Sequence, residues 1–103
     1  MKILCICEHG NNRSCNLATH LKYEYYAETI ATGTRRVSNK TMRMLCEWAD
    51  YIIVVESKLI TDTISEYRSK LQVWNLGPDT YPRPYNTELD AKCRELVKMR
   101  PLT

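Results

Sequence analysis

The chain has 103 residues, which allows one domain with one core and not two. Hydrophobic residues make up 44% and charged residues 26%, as in an ordinary globular protein, and a net charge of +3 falls short of the dense basic stripe of a dedicated nucleic-acid binder. No apolar run approaches membrane-spanning length, and no small-residue cleavage site follows "MKILCIC", so neither a membrane partner nor a secretory signal is expected.

The elements follow in chain order. Ile3 to Cys7 is a short continuous apolar run and predicts a buried strand. After a polar loop, "SCNLATHLKYEYYAE" predicts a helix, with Leu17, Leu21 and Tyr25 on one face and Lys22 and Glu24 turned away. "TIAT" predicts a second strand closed by Gly33. Ser38 is placed to cap a helix in which Met42, Leu45, Cys46 and Ala49 fall at i, i+3, i+4 and i+7. "YIIVVE" is the clearest strand, being rich in β-branched residues. Ser57 predicts the start of a third helix carrying Ile60, Ile64, Tyr67 and Leu71 in register, and "QVWNL" predicts a fourth strand. "GPDTYPRPYN" holds three of the four prolines and must be a loop. Asn86 can cap a last helix with Leu89, Cys93, Leu96 and Val97 inward.

Strict alternation of strand and helix predicts an α/β fold: a four-stranded parallel sheet with helices on both faces, as a single compact domain over residues 1–103. Such sheets take ligands outside the carboxyl ends of their strands. That rule selects residues 7–14, after the first strand, and residues 76–86, after the fourth.

The first of these loops reads "CEHGNNRS". Cys7 and Arg13 stand five residues apart, between the end of a buried strand and the start of a helix. Gly10, Asn11 and Asn12 tolerate left-handed backbone geometry, so the amides from Glu8 to Arg13 can turn inward and cradle an anion. A thiol at the base of such a cradle feels a helix N-terminus and a guanidinium, both of which favour the thiolate. Arginine's planar fork suits phosphate, and Ser14 can donate a hydrogen bond to the sulfur. Together these residues describe a cysteine nucleophile beneath a phosphoryl group, with Glu8, His9, Gly10, Asn11, Asn12, Arg13 and Ser14 around the phosphate. The bland reading is a polar turn over a buried Cys7 with Arg13 solvated; the placement favours the site. The leaving oxygen needs a proton, and Asp79 in the second loop is the candidate acid, set against a plain turn-forming role in "PD". Tyr81 and Tyr85 of that loop are expected to form an aromatic rim.

These motifs resemble the low-molecular-weight protein tyrosine phosphatases over nearly the whole chain, and the resemblance implies the strand order 2-1-3-4. "ILCICEHGNNRS" is similar to that family's first strand and C-x5-R-S loop, "IATGT" to its second strand, "WADYIIVVE" to its third, and "NLGPDTY" to its Pro-Asp loop. The resemblance implies that Cys7 is the nucleophile, Arg13 the phosphate clamp, Ser14 the thiolate partner and Asp79 the acid. It implies a cysteinyl-phosphate intermediate hydrolysed by water, with no metal or cofactor, and a phosphorylated protein or small phosphomonoester as substrate. Gly10 stands where the family usually has Asn, so bracing of the loop falls to Asn11 or Asn12. Cys15 replaces the usual proline, and Asn12 replaces the usual second loop cysteine. Thr34, Arg35 and Arg36 stand where an aromatic often lines the substrate slot; Arg35 is expected at the substrate rim, and the basic pair, which follows the second strand at the same sheet edge, is expected to favour acidic or multiply phosphorylated substrates. These departures bear on substrate choice more than on phosphate chemistry.

Three other functions share some of these residues. A reductase on the same scaffold needs cysteines that relay a disulfide outward, but Cys46 and Cys93 fall on inward helix faces, where packing accounts for them. Cys5, Cys7, His9 and Cys15 supply four zinc-type ligands without the usual spacing of a zinc site. A phosphate-binding module without turnover would keep the cradle and have no use for Asp79. The odd number of cysteines, five, fits reduced thiols in the cytoplasm. "KYEYY" mixes aromatics with a base, but a helix there turns Tyr25 to the core and the others to solvent, so it is not a nucleic-acid stripe.

Overall fold

The computed structural model describes residues 1–100 and Leu102. The order is β1 (Lys2–Cys7), α1 (Arg13–Tyr25), β2 (Glu28–Gly33), α2 (Asn39–Trp48), β3 (Tyr51–Val54), α3 (Asp62–Ser65), β4 (Leu71–Val73) and α4 (Thr87–Met99). The strands form one parallel sheet, as the alternation predicts, in the expected order β2-β1-β3-β4. Cys7 lies opposite Gly33, and Ile6 opposite Val54. The carboxyl ends of β1, β2 and β3 therefore finish side by side, which brings their following loops to one edge.

Side chains alternate across the sheet and divide the core. Ile3, Cys5, Cys7, Ile53 and Val55 pack under α1 and α4 with Leu17, Leu21, Leu89 and Cys93. Leu4, Ile6, Ile52 and Val54 pack on the other face with Met42 and Cys46 of α2 and Ile64 of α3. The expected caps form: Ser38 Oγ accepts from the Thr41 amide at 3.2 Å, and Asn86 Oδ1 accepts from the Glu88 amide at 3.1 Å.

Several boundaries differ from expectation; the fourth strand, expected over residues 72–76, spans Leu71–Val73. The third helix is not continuous. It breaks into a 3-10 turn (Ser57–Leu59), α3 and a second 3-10 turn (Arg68–Lys70). Ile60 is extended, and Thr61 Oγ1 accepts the Ile64 amide at 3.2 Å, which restarts the helix. The β-branched and hydroxyl residues from Ile60 to Ile64 offer the backbone this local alternative. Leu71, expected on that helix, pairs with Ile52 in β4. The first helix stops earlier than expected, because Tyr26 adopts the left-handed conformation (φ 53°) and Glu28 already pairs with Lys2. The third strand is also shorter than "YIIVVE", although the Val55 amide still bonds Ile6 O at 3.1 Å. Tyr23 and Tyr26 are exposed, whereas Tyr25 packs on the core.

Candidate active site

β1 delivers Cys7 to the sheet's carboxyl edge, and α1 starts six residues later at Arg13. The chain between them curls over the end of β2. The Thr34 amide donates to Cys7 O at 3.0 Å and the Arg35 amide to Glu8 O at 2.9 Å. Gly10 has a φ of +77°, and a Cβ there would stand 2.8 Å from the Gly33 nitrogen. A Cβ on Gly33 would stand 2.4 Å from the His9 carbonyl carbon. The two glycines let the loop and β2 touch backbone to backbone, which explains a glycine at position 10.

Cys7 lies at the floor of this loop, 1% exposed. Two groups meet its sulfur: the Gly10 amide donates to Sγ at 3.0 Å, and Ser14 Oγ lies 3.0 Å away. With Cys7 as thiolate, the Ser14 hydroxyl is the donor. Arg13 is also 1% exposed, so it is not a solvated side chain. Its Nη1 donates to Glu56 Oε1 and, at 2.7 Å, to Gly77 O. Its Nε is buried without a hydrogen-bond partner. One side of the guanidinium is thus anchored, and the other keeps a free donor.

Asp79 comes to the same place: its Oδ1 lies 4.0 Å from Arg13 Nε. The loop carrying it is tied to the cradle by Asn12, whose Nδ2 donates to Tyr81 O at 3.0 Å. Asn12 therefore braces the loop, and Asn11 is exposed. Tyr85 is half exposed, with its hydroxyl 2.8 Å from Thr19 Oγ1 on α1. Tyr81 departs from expectation. It is a buried anchor and not part of a rim, since its hydroxyl donates to Leu76 O at 3.0 Å, accepts from Lys92 Nζ at 3.0 Å, and its ring sits in the core. Glu8 turns toward Arg35, with 3.6 Å between Oε1 and Nε, and His9 lies 3.7 Å from the other Glu8 oxygen.

Glu56 and Gly77 were missed by sequence reasoning. The signal for Glu56 was available: it follows β3, whose carboxyl end lies at the same edge. Among the described residues no three His, Cys, Asp or Glu side chains are grouped to hold a metal, so Cys5, Cys7, His9 and Cys15 do not converge on one. Burial pushes the Cys46 thiol up to about 11 and the Cys93 thiol up to about 12. Both sit in the core as neutral thiols, unsuited to passing a disulfide outward.

No family model matches the chain, and no curated protein matches it in sequence. Solved structures do match in shape. The tyrosine phosphatase Wzb from Escherichia coli K30, in complex with phosphate, superposes with a TM-score of 0.73 at 16% identity, covering 95% of this chain and 94% of Wzb. The fold is that of the low-molecular-weight tyrosine phosphatases. The arginine phosphatase YwlE from Geobacillus stearothermophilus gives a TM-score of 0.63 at 16% identity, covering 95% of this chain and 86% of its own. A YwlE variant with cysteine changed to serine and that active-site serine phosphorylated gives 0.60 at 14% identity, covering 96% and 95%.

Proposed function

We propose that the protein is a cysteine-dependent phosphatase acting on phosphate monoesters of the phosphotyrosine type. The observation that carries this is the convergence at Cys7 and Arg13: a buried sulfur met by an amide and a hydroxyl, beside a guanidinium with one nitrogen anchored and Nε free. Tyrosine and arginine phosphatases among the structural neighbours, one of them carrying phosphate on the serine that replaces its cysteine, support the same chemistry.

In the first step the Cys7 thiolate attacks phosphorus and the bond to the leaving oxygen breaks. Arg13 and the amides from Glu8 to Arg13 hold the three equatorial oxygens as charge develops. Asp79, as the carboxylic acid, gives its proton to the leaving oxygen. In the second step Asp79, now a carboxylate, takes a proton from water as that water attacks the cysteinyl-phosphate. Inorganic phosphate leaves and the thiolate is restored. Nothing in this sequence requires an added metal or cofactor. Five free cysteines fit a reducing, cytoplasmic setting, and no helix among the described residues is long and apolar enough to cross a membrane.

The test is hydrolysis of para-nitrophenyl phosphate, without added metal, by the wild type, Cys7→Ser and Asp79→Asn. Turnover by the wild type and a loss of more than about a thousandfold in Cys7→Ser are expected. Asp79→Asn is expected to lower kcat by about 10²-fold or more with a poor leaving group and by less with nitrophenol. An inert wild type that still binds vanadate would make the protein a phosphate binder instead.

A further inference from the structure

A cleft of about 300 Å³ opens beside the cradle, lined by Glu8, Thr34, Arg35, Lys58, Leu59 and Thr61. It adjoins the nucleophile through the backbone, because Thr34 and Arg35 are the residues whose amides bond Cys7 O and Glu8 O. A group bound in this cleft would therefore sit next to a phosphoryl group bound in the cradle.

The charges are not evenly matched. Glu56 gives Oε1 to Arg13, and its Oε2 lies 3.8 Å from Lys58 Nζ. Glu8 Oε1 lies 3.6 Å from Arg35 Nε. Both of these longer distances exceed a hydrogen bond, so Lys58 and Arg35 keep donors to offer. With Glu56 counted against Arg13, two cations face the cleft and Glu8 alone opposes them. Their side chains are 66% and 70% exposed, so each can swing on its stem to meet a ligand. Arg36, the other half of the basic pair, does not line the cleft.

We infer that this cleft is a subsite for a carboxylate flanking the phosphorylated residue, and that the protein takes acidic phosphopeptides. The inference rests on the phosphatase proposed above and names its substrate class. A dianionic phosphoryl group repels a neighbouring carboxylate, so an acidic flank is favourable only where cations stand beside it. Arg35 can take a carboxylate with two parallel N–H bonds, and Lys58 adds a point charge.

The experiment uses two phosphotyrosine peptides that differ only in having Glu or Gln on both sides of the phosphotyrosine. Their kcat/KM values are compared for the wild type, Arg35→Ala, Lys58→Ala and Arg36→Ala. The wild type is expected to prefer the Glu peptide about threefold to tenfold, as solvent-exposed ion pairs allow. The preference should shrink in 1 M salt, where charges are screened within roughly 3 Å. It should vanish in Arg35→Ala, fall in Lys58→Ala and survive in Arg36→Ala. A general loss of activity would lower both peptides together and leave the ratio intact. Equal use of the two peptides by the wild type, or a preference lost in Arg36→Ala and kept in Arg35→Ala, would overturn the subsite. Binding of the same peptides to Cys7→Ser, with and without Arg35→Ala, separates the two proposals. If the wild type turns over neither peptide but an Arg35-dependent Glu preference persists in binding, the subsite stands and the phosphatase falls.

Discussion

The cradle (residues 7–14) and the acid loop (residues 77–86) meet at one edge of the sheet, but they are held in different ways. The cradle is fixed by its main chain. Cys7 O and Glu8 O take amides from the end of β2, the Gly10 amide turns in to the sulfur, and Gly10 and Gly33 touch without side chains between them. The acid loop hangs on side chains: Arg13 on Gly77 O, Asn12 on Tyr81 O, and Thr19 against Tyr85. All three tethers come from α1 or the residue before it. The cradle is thus held by main-chain contacts with the end of β2, whereas the loop carrying Asp79 is held to it by side chains. The two halves should fail separately.

The largest effect on activity is expected where backbone meets backbone. A methyl group on Gly33 would meet the His9 carbonyl carbon at 2.4 Å and the Gly10 nitrogen at 2.5 Å, neither of which can rotate away. Gly33→Ala should therefore abolish both turnover and vanadate binding, and lower stability by about 1–3 kcal/mol through overpacking. A variant that still bound vanadate at wild-type affinity would show that the cradle does not depend on this contact. Next comes Glu56→Ala, which leaves the Arg13 charge buried at 1% exposure with the Gly77 carbonyl on Nη1 and Asp79 Oδ1 4.0 Å from Nε. Losing a hydrogen bond to a charged group costs about 1.5–3 kcal/mol, to be read as a fall in the urea midpoint. Asn12→Ala should separate the halves. It removes one tether, worth about 1 kcal/mol, and leaves the cradle backbone in place. Turnover of substrates with poor leaving groups should fall about fivefold, while vanadate affinity stays near that of the wild type.

How much of this was legible in the sequence follows the same division. The alternation of strands and helices and the loop after β1 were legible because both rest on local pattern: an apolar run ending at Cys7, and glycine and asparagines before Arg13. Partners from distant segments were not. Nothing near Glu56 says that it will hold Arg13, some forty residues away, except its place at the end of a strand. Tyr81 misled because an aromatic between prolines suggests an exposed rim, whereas burial of its ring and two hydrogen bonds on its hydroxyl settle it in the core. The third helix misled for a different reason. Its apolar spacing fits a helix, but local hydrogen bonding by Thr61 and strand pairing by Leu71 take precedence over the spacing.

The smallest effect concerns what lies behind the acid loop. Asp90, at the start of α4, accepts from Asn16 Nδ2 at 3.1 Å, lies 2.7 Å from His20 Nε2, and accepts from Arg94 Nη2 at 2.8 Å. It joins the helix after the acid loop to the helix after the cradle. The hydrogen bond from Asn16, then that from His20, holds its carboxyl below the ordinary aspartate value. A carboxylate with a lowered folded pKa contributes stability that is complete above its unfolded value, about 3.9, and is lost as pH falls through the folded value. Asp90→Asn should therefore be slightly less stable than the wild type at pH 7, and the gap should close below about pH 4. Urea midpoints of both proteins between pH 7 and pH 3 give the answer. A gap that stayed constant down to pH 3 would mean that the charge of Asp90 does not hold α4 to α1, leaving Lys92, which donates to the Tyr81 hydroxyl at 3.0 Å, as the charged tether between α4 and the acid loop.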